Sequence, residues 1–160
     1  MRVRTALLAT LPLLLAACGA GAELTVADPW VRSNPNGMGA AYMTISSPED
    51  DQLVAAAVDP EIAGTVEVHE VVMEDGAMRM REVAGIPLPA GETVALEPGG
   101  YHVMLLDMPA VLAPGTEVDV TLTFASGAET TVTAVVREDT PEGGMEMDHG
   151  GMDHGGTSGS

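Results

Sequence analysis

The stretch His69-Glu70-Val71-Val72-Met73-Glu74-Asp75-Gly76-Ala77-Met78-Arg79-Met80 sets Asp-Gly between two apolar runs, the strongest short-range signal of a two-residue β-hairpin turn. With Asp75 and Gly76 in the turn, counting outward places Glu74 against Ala77, Met73 against Met78, Val71 against Met80 and His69 against Glu82. Alternation then puts His69, Val71, Met73, Met78, Met80 and Glu82 on one face, with His69 diagonal to Met80 and within reach of a long side chain. The opposite face pairs Glu70 with Arg81, a charge-complementary contact suited to solvent.

The same pattern continues in both directions. Short apolar or alternating runs separated by Gly, Pro, Asn and Asp predict strands at Leu24–Ala27, Ala40–Ser46, Leu53–Val58, Thr65–Met73, Met78–Val83, Thr93–Leu96, Tyr101–Leu106, Val118–Phe124 and Thr130–Val136. No stretch sustains helical periodicity, so the fold class is all-β, a sandwich or Greek-key barrel. In His102-Val103-Met104 a spacing of two on a strand points both outer side chains the same way, while Val103 and Leu105 face the other side. The turn Glu97-Pro98-Gly99-Gly100 sets this pair near a strand start. Trp30, Tyr42, Tyr101 and Phe124 are expected in the core or as walls of a site.

The 160 residues support one domain once an export segment is removed. Arg2 and Arg4 precede an apolar run from Ala6 to Ala17, too short to span a bilayer as a mature helix and read as part of a signal peptide over residues 1–22. Its end, Leu15-Ala16-Ala17-Cys18, resembles the lipobox of bacterial lipoproteins, with Cys18 as the lipidated residue; cleavage after Ala20-Gly21-Ala22 would instead release a soluble protein. The expected location is the periplasm, membrane-anchored through lipid in the first case. Cys18 is the only cysteine, which excludes an intramolecular disulfide and denies the folded domain the thiolate of a blue-copper centre.

A β-domain over residues 23–137 gives way to a tail over 138–160 rich in Gly, Met, Asp, His and Ser, with too little apolar mass to offset the entropy of ordering it. It is expected to be disordered. Within it Met147-Asp148-His149-Gly150-Gly151 repeats as Met152-Asp153-His154-Gly155-Gly156, and His/Met-rich tracts bind metals. The net charge of −18, from 24 acidic side chains against six arginines, repels nucleic acid and draws cations over a Debye length of roughly 8 Å.

His69, Met80, His102 and Met104 form one donor set of two imidazoles and two thioethers. Thioether sulfur binds Cu(I) well and hard cations poorly, while zinc prefers thiolate, imidazole and carboxylate. Methionine needs no deprotonation and forms no disulfide, so it stays usable where a cysteine would oxidise. The donors, the compartment and the tail point to copper. Met73 and Met78 either assist copper uptake or pack. An enzyme is not expected, because two imidazoles with no Ser/His/Asp set and no catalytic cysteine leave little for catalysis.

His69, ten intervening residues, Met80, twenty-one more, then His102-x-Met104 resembles the signature of the PCu(A)C-type periplasmic copper chaperones. Pro98-Gly99-Gly100-Tyr101-His102-Val103-Met104-Leu105 and Ala40-Ala41-Tyr42-Met43-Thr44-Ile45 are similar to that family as well. The resemblance implies a cupredoxin-like β-sandwich holding Cu(I) through His69, Met80, His102 and Met104. It also implies delivery toward cytochrome c oxidase copper sites, through a Sco-type protein or directly to an oxidase subunit. Relatives with a His/Met-rich extension suggest a second copper site, here Met145, Met147, His149, Met152 and His154, with Cu(II) as one form the tail could take. A copper buffer without a dedicated recipient would share every one of these features, whereas an adhesive β-sandwich would leave the His/Met spacing without a reason.

Overall fold

Asp75 and Gly76 both adopt left-handed backbone, with φ of 52° and 78°, as a two-residue hairpin turn with the natural strand twist requires. They join β4 (Thr65–Glu74) to β5 (Ala77–Glu82), and the pairs His69–Glu82, Glu70–Arg81, Val71–Met80 and Met73–Met78 form in the register counted from the sequence. The Glu70–Arg81 ion pair closes at 2.7 Å on the far face. A computed structural model describes residues 23–138. The leader with Cys18, and the tail with Met145, Met147, His149, Met152 and His154, lie outside the described residues.

The other strands are β1 (Thr25–Asn34), β2 (Met38–Ser46), β3 (Asp51–Ala57), β6 (Ile86–Leu88), β7 (Thr93–Leu96), β8 (His102–Leu106), β9 (Glu117–Phe124) and β10 (Glu129–Val136). They hydrogen-bond in the order β5-β4-β8-β2-β1-β10-β9-β3-β6, with β7 branching onto β2. All neighbours run antiparallel except β1 and β10, which are parallel. β9 shows why the chain folds this way: Val118, Val120, Leu122 and Phe124 are buried, and the residues between them are less so. The period-2 stripe gives the sheet one face to bury. Equivalent stripes from Ala41, Met43 and Ile45 on β2, Val103 and Leu105 on β8, and Val68 on β4 meet it in one core.

Two elements depart from the expected strands. β1 runs on past Ala27 to Asn34, because a bulge between Ala27 and Trp30 absorbs Pro29 and lets pairing with β2 resume. Asp28, at φ 52°, supplies the local bend. β6 is a three-residue strand around Pro87 at the end of the sheet order, where a residue without an N–H is tolerated.

The second layer of packing positions the site. Ala40, Tyr42 and Met104 form a separate buried cluster, flanked by Trp30, Met38 and Leu106, on the face of β2 and β8 that points away from the main core. The sheet around β8 is therefore covered on both sides. Gly76 holds its positive φ with nothing close to where a side chain would begin, so a substitution there meets backbone strain and no clash. Gly76→Ala should lower stability by roughly 1–2 kcal/mol, and Gly76→Asn by clearly less, since asparagine tolerates this conformation. Urea unfolding of the three proteins side by side measures the difference.

Candidate metal centre

β4 pairs antiparallel with β8 so that His69 lies directly opposite His102, and Glu67 opposite Met104. Because alternate residues share a face, His69, His102 and Met104 point to the same side of the sheet, and β5 brings Met80 to that side opposite Val71. The two histidine rings stand 5.7 Å apart between centroids and are inclined by 54°. An imidazole nitrogen sits about 1 Å from its ring centre and holds a metal at about 2 Å, so rings sharing one ion have centroids at most roughly 6 Å apart. The spacing fits a single ion between them.

Each ring has one nitrogen engaged and one left over. His69 Nε2 donates to Glu67 Oε2 at 2.7 Å, and His102 Nδ1 donates to the Gly100 carbonyl at 3.1 Å. His69 Nδ1 and His102 Nε2 are buried with no hydrogen-bond partner. A buried polar atom without a partner costs about 1–3 kcal/mol, so both nitrogens are left available to a further ligand. A carboxylate or carbonyl on the far nitrogen, fixing tautomer and ring orientation, is the usual outer support of a metal-binding histidine. The Gly100 carbonyl also accepts from the Val71 amide at 3.2 Å, tying the turn before β8 to β4.

Burial divides the four candidate donors. His102 is 2% exposed, Met104 8% and the His69 side chain 13%, while Met80 is 54% exposed. Behind His102 stands Tyr42, its ring centroid 6.2 Å away, and behind Tyr42 stands Trp30 at 4.4 Å. Arg32 donates to the Tyr42 hydroxyl at 2.9 Å. No group of three or more His, Cys, Asp or Glu side chains able to hold a metal occurs among the described residues, so a metal here needs the thioethers to complete its shell. That favours a soft ion.

The sequence expectation placed all four donors on strand faces, but left open how the hairpin meets His102 and Met104. The β4–β8 pairing brings them together, and it adds residues not singled out from sequence. Glu67 was legible as the same-face neighbour of His69. The Gly100 carbonyl and Arg32 carried no sequence signal, since their roles depend on which strands pair. Of the aromatics, Phe124 lies in the main core, and Tyr42 and Trp30 wall the site. Met73 and Met78 do not pack: they are 69% and 65% exposed.

Solved structures similar to this fold include the copper-bound PCuAC domain from PmoF2, at 26% identity and TM-score 0.56 over 74% of this chain and 95% of that one. Another is the CuI form of DR1885 from Deinococcus radiodurans, at 29% identity and TM-score 0.56 over 78% of this chain and 87% of that one. A family profile described as "Putative lipoprotein LpqE-like" matches residues 24–136. The chain belongs to this LpqE-like, PCuAC-type family. A family relative, "Putative lipoprotein Lxx21020" from Leifsonia xyli subsp. xyli, is 32% identical over 114 residues, covering 71% of this chain and 69% of the relative. The β-sandwich of this PCuAC-type domain is cupredoxin-like, in agreement with the resemblance read from the sequence.

Burial depresses the His102 pKa below the usual histidine value of 6.5, and the nearby His69 and Arg32 add to this while the Gly100 carbonyl partly opposes it. The ring therefore stays neutral, with Nε2 free, into mildly acidic solution. In the unfolded chain His102 takes up a proton as pH falls through 6.5, whereas the folded chain resists until lower pH, so the unfolded state gains protons first and stability drops. Metal-free protein should lose stability between neutral pH and the depressed folded value, and His102→Gln should flatten that part of the profile. Urea midpoints measured from pH 7.5 downward provide the check; an unchanged slope in the variant would remove His102 as the cause.

Proposed function

We propose that the protein is an exported copper chaperone that binds one Cu(I) through His69, Met80, His102 and Met104 and hands it to a recipient outside the cytoplasm. The observation that carries this reading is the pair of buried, unpartnered nitrogens, His69 Nδ1 and His102 Nε2, on rings 5.7 Å apart across β4 and β8, with Met80 and Met104 on the same face of the sheet. Copper-bound forms of PCuAC-type relatives support the choice of metal. The lipoprotein descriptions of the family and of its Leifsonia xyli member support export and a lipid anchor at Cys18. On this reading residues 1–22 direct export, 23–137 carry the main copper site, and the tail from 138 offers Met145, Met147, His149, Met152 and His154 as a second one. The recipient is a Sco-type protein or a cytochrome c oxidase subunit.

Transfer follows from the division of burial. His102 and Met104 are held inside the sheet and His69 is fixed by Glu67, whereas Met80 rides on β5, whose six residues are all exposed. Met80 is the donor an incoming ligand reaches first. Its sulfur is neutral, so it departs without a proton, leaving three donors and one position open to the recipient. Ligand exchange in this order releases copper stepwise without unfolding the site.

Chelator competition for Cu(I) on residues 23–137 tests the reading. One tight equivalent is expected, and the paired change His102→Ala with Met104→Ala should weaken it by more than the roughly 10–100-fold typical of removing an outer-shell partner. Weak binding indifferent to those changes would move the copper chemistry to the tail. Met80→Leu should weaken binding less than Met104→Leu and leave transfer to an oxidase copper subunit at least as fast as in the wild type, because the exchange position is already open; transfer to that subunit no faster than to a small chelator would instead describe a copper buffer.

A further inference from the structure

Three of the five large hydrophobic side chains exposed among the described residues are Met73, Met78 and Met80; the others, Val111 and Val135, stand elsewhere. The three are neighbours: Met73 pairs directly with Met78 across the hairpin, and Met80 follows two residues along β5 on the same face. Directly opposed side chains have Cβ atoms about 4.5–5.5 Å apart, close enough for both thioethers to reach one ion. At 69% and 65% exposure, Met73 and Met78 gain little from burial, so core packing does not explain them.

Around the hairpin tip the charged side chains lie on the other face, while Glu67 and Glu82 share the methionine face only at its inner end, beside and opposite His69. Arg81 pairs with Glu70 at 2.7 Å and Arg79 with Glu74 at 3.3 Å, which neutralises both arginines away from the methionine side. The methionine face also leads inward. The terminal methyl of Met78 lies 3.8 Å from where a side chain at Gly99 would begin, and Gly100, next along, carries the carbonyl that orients His102. The bare backbone at Gly99 gives Met78 room to bend over this turn toward the histidine pair.

We propose that Met73 and Met78 form a second, weaker thioether site for a soft monovalent cation at the hairpin tip, which takes the ion first and passes it through Met80 to His69 and His102. The inference rests on the copper-binding reading above and extends it to the route of loading. Two thioethers alone hold such an ion less tightly than two thioethers with two imidazoles, so the ion runs downhill from tip to centre. No carboxylate belongs to the pair, and hard cations drawn by the −18 charge find no ligand there.

The test uses the full chain with 13C-methyl methionine and Ag(I), a redox-inert probe with the same donor preference. The first equivalent should shift the Met80 and Met104 methyls, and further silver those of Met73 and Met78, each resolved from the tail methionines. The paired change Met73→Leu with Met78→Leu keeps volume and apolarity. It should leave first-equivalent affinity unchanged and slow loading several-fold, followed through quenching of Trp30, the single tryptophan. Unshifted Met73 and Met78 methyls, or loading at the wild-type rate in the leucine variant, would overturn the proposal. Shifts at Met73 and Met78 with none at Met80 and Met104 would keep the tip site and sink the four-donor centre instead.

Discussion

Pairing of β4 with β8 is the constraint on which the site depends. It sets His69 opposite His102 and Glu67 opposite Met104, and a slip of β4 by one residue would turn His69 and Glu67 to the other face, where Val68 and Val103 now fill the core. The hydrophobic stripe thus holds the register of the polar face. Every valine or leucine buried from these strands is also a restraint on the position of a histidine or methionine one residue away. A site of soft donors gains precision from this arrangement without needing a rigid cage of its own.

The outer face of β2 completes the design. Ala40 stands opposite Met104 across the sheet and Tyr42 backs His102, so water reaches the inner donors poorly, while Arg32 sits near enough to help keep the His102 ring unprotonated. A neutral imidazole is the form that binds metal. On the opposite side of the centre the hairpin leaves Met80 in solvent. Tight on one side and open on the other suits the proposed capture followed by release, in which the buried donors would supply affinity and the exposed one exchange.

Net charge acts at a longer range. An excess of 18 negative charges concentrates cations of every kind near the surface and does not choose among them. Selection falls to sulfur. Among the described residues no three-residue His, Cys, Asp or Glu group offers hard and borderline metals a shell, whereas thioethers suit a soft ion.

Local sequence determined the strand alternation, the Asp75-Gly76 turn and the β4–β5 register, because each depends on residues a few positions apart. The donor types available to the proposed site, thioethers and imidazoles with no cysteine in the β-domain, can likewise be read without coordinates. The β1 bulge around Pro29 and the short β6 around Pro87 were not legible, because proline reads as a break unless one knows that a bulge or a sheet edge accommodates it. Only the tertiary structure decided that β8 lies beside β4, that Gly100 and Glu67 orient the two rings, and that Met104 is buried while Met80 is not. Those facts rest on pairing between residues more than thirty positions apart, and such pairing is selected by the packing of the whole core, which no local pattern contains.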